Sequence, residues 1–325
     1  MILADMGRIA DTCGRPWGRI QWFRGAGRSR IACLIVPLAA TALGGCTGGV
    51  LDPHGAVGSA EKLILLNCLT IMLAIVVPII IATIVFAWWF RSTNKKARYL
   101  PEWSFSGKIE LIIWSVPAMI VMLLGGIGWT ASHDLDPAKP LKSSVEPLDV
   151  EVVSLDWKWL FIYPKLGIST VNQLVVPAGV PIRFRLTSDS VWNSFFIPQL
   201  GSQIYTMAGM TTKLNLVADR PGVYPGLSSH FSGSGFSDMR FDVSALPPEG
   251  FKAWVLRTKS VGPSLTPSSY ASLARPSEAV RPFSYRDTTP RLFESILSRA
   301  TSSTPLPSGL QSTPPHINIQ NTRGN

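Results

Sequence analysis

The run Val223-Tyr224-Pro225-Gly226-Leu227-Ser228-Ser229-His230-Phe231-Ser232-Gly233-Ser234-Gly235-Phe236-Ser237-Asp238-Met239-Arg240-Phe241-Asp242-Val243 decides how the rest of the chain is read. It predicts a strand, a glycine-rich loop and a second strand beginning near Met239. A loop of this kind, closing the last two strands of a small β-barrel, is a natural seat for a soft metal such as copper. Copper in such a place needs thiolate, because soft sulfur ligands select it. This loop offers serine, glycine and phenylalanine, and no cysteine follows Cys68. It has the shape of a copper site without the ligands.

Upstream of the loop, Glu151–Tyr163 reads as one long strand with room for a bulge. Further strand-like runs lie at 170–176, 182–187, 194–197, 203–207, 212–217 and 222–229. Pro, Gly and Asn separate them at the spacing of a sandwich or Greek-key barrel. No helical period interrupts this region, which sets an all-β domain at 133–246. By period two, Trp157 and Trp159 share one face of their strand, where core packing accounts for them.

The chain before it is of another kind. Residues 63–90 and 109–130 are apolar runs long enough to span a bilayer, with Trp88, Trp89, Trp114 and Trp129 near their ends. The loop 91–108 holds five basic residues against one acid, so the positive-inside rule places it in the cytoplasm. A helical hairpin over 46–132 follows, with both ends outside. Glu110 opens its second helix, where a carboxylate suits the helix dipole or marks the edge of a proton path.

Before the hairpin, Arg24, Arg28 and Arg30 precede a short apolar core ending in Leu43-Gly44-Gly45-Cys46. This is the pattern of a secretory signal over 1–45. Cysteine after Leu-Gly-Gly resembles the bacterial lipobox, which makes Cys46 the expected lipidated N-terminus. Cys13 and Cys33 leave with the signal, so no pair remains for a disulfide in an exported domain.

After Leu246-Pro247-Pro248 the composition shifts. Glu249 to Lys259 reads as a helix with Phe251, Trp254 and Val255 on one face, and Pro290 to Ala300 as a second through Leu292, Phe293, Ile296 and Leu297. The intervening 260–282 is rich in Pro, Ser and Ala with no assigned role. This partly helical extension spans 247–300, and the polar stretch 301–325 reads as disordered.

The formal charge of +10 divides in a way that excludes nucleic-acid binding. Residues 1–45 carry +4 of it, and 109–245 has nine basic and eleven acidic residues. No basic face with interleaved aromatics emerges. Ser228, Ser229, Ser232, His230 and Asp238 do not make a hydrolase either, because there is no Gly-x-Ser-x-Gly elbow and neighbours on a strand face opposite ways.

A lipobox, a two-helix hairpin and an outer β-barrel, in this order, resemble subunit II of the haem–copper respiratory oxidases. The runs Ser154-Leu155-Asp156-Trp157-Lys158-Trp159-Leu160-Phe161-Ile162-Tyr163-Pro164, Asn193-Ser194-Phe195-Phe196-Ile197-Pro198 and Leu200-Gly201-Ser202-Gln203-Ile204-Tyr205-Thr206-Met207-Ala208-Gly209-Met210 resemble the ubiquinol-oxidizing, bo-type branch. The resemblance implies a cupredoxin-like barrel. In the cytochrome c-oxidizing branch the loop carries Cys-x-Glu-x-Cys-x3-His-x2-Met, with a further His on an earlier strand. Anchored on Met239, that pattern falls on Ser228, His230, Ser232 and Phe236, and the earlier His on Asn193. Only Met239 keeps the ligand type, and His230 with Met239 would make at most a weak Cu(I) pair.

The resemblance therefore implies a ubiquinol oxidase subunit with no metal of its own. Haems and copper are expected in subunit I, ubiquinol as the substrate of the complex, and other membrane subunits and lipids as partners. Cytochrome c is not an expected partner. The expected location is a bacterial inner membrane, with the lipid anchor and C-terminal domain in the periplasm. It also turns Glu110 towards proton entry, through the run Lys108-Ile109-Glu110-Leu111-Ile112-Ile113-Trp114-Ser115-Val116-Pro117. A cytochrome c oxidase subunit and a stand-alone lipid-anchored binding protein remain the alternatives.

Overall fold

A computed structural model describes residues 49–303 apart from Tyr99 and Trp103. The signal, Cys46 and the tail from residue 304 lie outside the described residues.

Two long helices come first, α1 (Ala56–Trp89) and α2 (Gly107–Asp134), each long and apolar enough to cross a membrane. Pro78 and Pro117 sit inside them, as membrane helices tolerate. Both present apolar side chains to their surroundings, Leu111 69% and Trp114 76% exposed. The sequence places the first helix at 63–90, yet it starts seven residues earlier. The reason is docking rather than hydropathy. Gly58 N–H donates to Leu200 O at 3.1 Å, His54 N–H donates to Gln199 O at 2.7 Å, and Ser202 Oγ donates to Glu61. The first turns of α1 are thus fixed to the β domain, and only the remainder needs an apolar medium.

The β domain is two packed sheets. Its strands are β1 (Leu148–Leu155), β2 (Lys158–Tyr163), β3 (Ile168–Val171), β4 (Gln173–Pro177), β5 (Pro181–Ser188), β6 (Asn193–Phe196), β7 (Ile204–Thr206), β8 (Thr212–Val217), β9 (Gly222–Ser228) and β10 (Arg240–Leu246). Three short strands follow, β11 (Ser264–Leu265), β12 (Phe283–Tyr285) and β13 (Asp287–Thr288). One sheet runs β12-β3-β2-β1-β5-β8 and the other β4-β10-β9-β6-β7. The β1–β5 and β4–β10 pairs are parallel and the rest of these two sheets is antiparallel. Trp159, Phe161, Tyr163, Phe184, Phe195 and Phe241 fill the space between the sheets.

Two strand expectations are corrected. Glu151–Tyr163 is a hairpin, with Leu155 paired to Lys158 and Trp157 in the turn at φ +62°. A bulky residue with positive φ is an outlier, so nothing in the residue types announces the turn. Trp157 and Trp159 consequently do not share a strand face. The run 170–176 is likewise broken, at Asn172 with φ +53°, a residue type that tolerates this region.

The C-terminal extension covers the outer face of the larger sheet. Helix α3 (Pro248–Ser260) packs on the core between the sheets through Phe251, Trp254 and Val255, while α4 (Pro267–Leu273) and α5 (Leu292–Ser303) carry the cover. Leu265, Tyr270, Tyr285, Leu292, Phe293 and Ile296 form a second core with Val153, Leu155, Leu160, Ile162 and Val171. Strand β2 is therefore buried on both faces. Helix α4 is not predicted, although Thr266-Pro267-Ser268-Ser269 holds its start signal. Thr266 and Ser269 form a reciprocal capping box with Pro267 at the first position. Helix α5 runs three residues beyond the predicted end, so only 304–325 of the proposed tail stays outside the described residues.

Charge fixes α5 to the sheet. Arg185 Nη1 donates to Glu151 Oε1 at 2.8 Å and to Glu294 Oε1 at 3.1 Å, and its guanidinium lies 4.7 Å from the Phe293 ring centre. Burial, then the negative charge of Glu294, push the Glu151 carboxyl up to about 7 from 4.5, against the opposing pull of Arg185. A pKa raised on folding gives stability that is full below the unfolded value and is lost as pH rises through the folded value. The parent should therefore lose about 2–3 kcal/mol relative to Glu151→Gln between pH ~4.5 and ~7. Denaturant unfolding of both proteins across that range measures it, and parallel curves would contradict it.

Candidate functional site

The loop between β9 and β10 is built by pairing at its two ends. Ser228 N–H donates to Met239 O at 2.9 Å, and Ser229 N–H donates to Ser194 O on β6 at 3.1 Å. A 3-10 turn at Ser234–Asp238 takes up the middle. Trp157, carried by the β1–β2 turn, clamps it. Its Nε1 donates to Ser232 O at 3.0 Å, and its ring occupies the space over Gly235. A Cβ at Gly235 would fall 2.5 Å from Trp157 Cγ, which is why the loop needs glycine there.

Four of the six ligand-like positions come together. Asn193, Ser228 and Met239 are all but fully buried. Ser228 Oγ lies 3.2 Å from Asn193 Oδ1 and 3.2 Å from His230 O, in reach to donate to either, and it accepts from Ser194 N–H at 3.4 Å. Asn193 Nδ2 donates to Val191 O at 3.2 Å. Ser232 Oγ donates to Met239 Sδ at 3.5 Å. Met239 O also accepts from Trp159 Nε1 at 3.5 Å, which ties the loop to the barrel core.

The side chains of His230 and Phe236 do not join this network. His230 is exposed, its ring edge-on to Tyr205 at 5.8 Å, and Phe236 is half-buried with its ring 5.6 Å from Phe231. Beside the network, Ser194, Gln203 and Ser229 bond to one another across β6 and the loop.

Chemically, the assembled atoms are neutral hydroxyl and amide groups with one thioether. Their hydrogen-bonding capacity is spent on one another and on the backbone. Without a thiolate or a converging imidazole they do not fit a binuclear copper centre. Among the described residues, no three His, Cys, Asp or Glu lie grouped to hold a metal ion. What the arrangement does is hold the β9–β10 loop in a fixed shape at one end of the barrel.

Comparison with known proteins now bears on this geometry. Residues 154–246 match the family described as cytochrome c oxidase subunit II, periplasmic domain, and 259–301 match the COX aromatic rich motif. The chain is 48% identical over 257 residues to the cytochrome bo(3) ubiquinol oxidase subunit 2 of Pseudomonas aeruginosa, covering 79% of this chain and 78% of the relative. The ubiquinol oxidase subunit 2 of Acetobacter aceti is 48% identical over 274 residues, covering 83% of this chain and 89% of the relative. The chain belongs to the ubiquinol oxidase subunit 2 family. Among solved structures, the periplasmic domain of subunit II of cytochrome oxidase of Bradyrhizobium japonicum aligns at TM-score 0.35 and 22% identity, over 38% of this chain and 98% of that one.

In this family member the aromatic rich motif is the segment that roofs the larger sheet through Tyr270, Tyr285 and Phe293. One anchor of that segment escapes the sequence reading. Lys158 is 1% exposed, and its Nζ donates to Arg275 O at 2.8 Å, Asp156 O at 3.2 Å and Ser277 Oγ at 2.5 Å. Burial pushes its ammonium below the ordinary lysine range. The only signal for it in the sequence is a lysine inside an otherwise apolar strand.

Glu110 stands in the first turn of α2, exposed, with its N–H donating to Ser106 O at 3.0 Å. It is far in sequence from the barrel site and belongs to the other end of the hairpin.

Proposed function

We propose that this chain serves a proton-pumping ubiquinol oxidase as a subunit without a redox centre, giving the complex structure and a proton entry. The observation that carries this is the network of Asn193, Ser228, Ser232 and Met239, which replaces a soft ligand set with hydrogen bonds. Haems, copper and the quinol site then belong to partner subunits, with subunit I the principal one. In this reading the chain sits in a bacterial inner membrane with the barrel in the periplasm, which the two apolar helices support, and cytochrome c is not engaged. The Pseudomonas and Acetobacter relatives are named as subunit 2 of a ubiquinol oxidase, which supports the oxidase part of this reading. Co-purification tests the placement: tagged on the barrel, the chain should bring down a polytopic haem-containing partner, and recovery of the chain alone would contradict it.

Glu110 is the residue for proton entry in this reading, supported by its place in the first turn of α2. Glu110→Gln should slow quinol oxidation by the complex about tenfold or more, within the range of a lost proton-transfer group, while haem content stays the same. Parent-like turnover would return Glu110 to a helix-dipole role.

Cys46 completes the reading as a lipidated N-terminus. Intact mass of the purified subunit should lack 1–45 and show added acyl mass, and an unmodified Cys46 would contradict it.

A further inference from the structure

The turn between α1 and α2 carries chemistry that the oxidase reading leaves unused. It is a built turn: Asn94 Nδ2 donates to Trp89 O at 2.6 Å, Asn94 N–H to Arg91 O at 2.9 Å, and Lys96 N–H to Asn94 Oδ1 at 3.1 Å. Asn94 thereby caps the last carbonyls of α1 and folds the chain back beneath them.

The fold-back forms an open cavity of about 550 Å³ lined by Arg91, Arg98, Ser92 and Asn94 together with Phe90 and Leu100. Among the described residues, no acidic side chain lines it and neither arginine makes an ion pair. The Arg91 guanidinium lies 5.1 Å from the Trp88 ring centre, at the end of the apolar helix. Aromatic rings of this kind settle at headgroup depth.

Two guanidinium groups in one cavity without a counter-ion repel each other, and the arrangement is relieved by an anion. Their planar forks match phosphate oxygens two at a time, which ammonium groups do not. Phe90 and Leu100 in the same lining, at the end of an apolar helix, favour a phosphate that carries acyl chains.

We propose that this cavity binds an anionic phospholipid. Arg91 and Arg98 take the phosphate, Ser92 donates to it, and Phe90 and Leu100 lie against the first carbons of the acyl chains. The site rests on the reading that α1 and α2 span a bilayer. Lys95 and Lys96 lie on the same turn outside the cavity lining and supply diffuse charge only.

The test uses the whole complex in nanodiscs of mixed phosphatidylglycerol and phosphatidylcholine, with lipid retained on the subunit read by native mass spectrometry. The parent should retain phosphatidylglycerol in preference to phosphatidylcholine. R91Q/R98Q should weaken that retention about thirtyfold, the worth of two basic contacts at the membrane surface. K95Q/K96Q removes the same charge beside the cavity and should keep most of it. Should R91Q/R98Q not assemble, R91K/R98K keeps the charge without the forks and should lose selectivity several-fold.

Unchanged retention in the arginine variants, or an equal loss in K95Q/K96Q, overturns the proposal in favour of a protein partner or diffuse charge. Displacement of the lipid by added inorganic phosphate overturns the lipid as the source of the anion. Carbonate extraction separates the premise from the site. Parent and variants should stay in the membrane pellet, and release of the parent would remove the spanning reading itself.

Discussion

Lys158→Met lowers the unfolding free energy by about 3 kcal/mol and opens residues 262–303 to protease, while the sandwich core stays closed. Methionine fills much of the same volume, so packing changes little. The loss is polar. Arg275 O and Ser277 Oγ lose the donor that Lys158 gives them, and Asp156 O keeps only the long bond from Ser277 N–H at 3.5 Å, at a site where the lysine itself is 1% exposed. A buried acceptor left without a donor costs about 1–3 kcal/mol, and the lost burial penalty of the ammonium offsets part of the sum. Denaturant unfolding and limited proteolysis of the purified subunit measure both effects. An unchanged midpoint with a protected extension would show that the second core holds the segment without the lysine.

Gly226→Ala should cost about 3 kcal/mol. Gly226 faces Phe241 across the β9–β10 pair, and a Cβ there would lie 2.2 Å from Phe241 Cζ. The ring has no room to retreat. It stacks on Phe195 at 5.1 Å, meets Trp159 at 5.7 Å and Phe161 at 5.1 Å. One methyl group therefore overpacks the centre of the barrel, at the upper end of the usual 1–3 kcal/mol range (about) for such insertions. Adding Phe241→Leu makes space on the facing strand, so the double variant should be more stable than the sum of the two changes predicts, by about 1 kcal/mol or more. Strict additivity would mean that the strand shifts instead of the ring.

How much was legible in the sequence follows from the range of the interactions. The second apolar helix and the strands from β5 to β9 rest on local pattern, and the structure places them within a few residues of the reading. The six ligand-like positions were named only through the resemblance, by laying the family spacing on Met239, and what was legible at them was their residue types. Which of them meet was not: His230 is exposed beside Tyr205 and Phe236 lies half-buried against Phe231, partners outside that pattern.

The hairpin at Asp156-Trp157 was hidden for a different reason. Its turn is held by contacts from Trp157 to Ser232 and Gly235, some 75 residues away, against the preference of tryptophan for negative φ. The roof over β1 and β2 was half legible. Leu155, Leu160 and Ile162 lie on the face opposite Trp159 and Phe161, and a strand that is apolar on both faces demands a cover. The sequence shows the demand, but only the fold shows that residues 264–296 meet it. The early start of α1 was illegible in the same sense, since it depends on Leu200 and Ser202 rather than on hydropathy.

In the proposed function the chain serves quinol oxidation through a barrel whose loop network stands at the positions where the cytochrome c-oxidizing branch is expected to hold copper. The purified complex containing it, offered ubiquinol and reduced cytochrome c in parallel oxygen-uptake assays, tests this most directly. Rapid oxygen uptake is expected with ubiquinol and none above background with cytochrome c. Rapid oxidation of cytochrome c, with stoichiometric copper in the subunit, would contradict it.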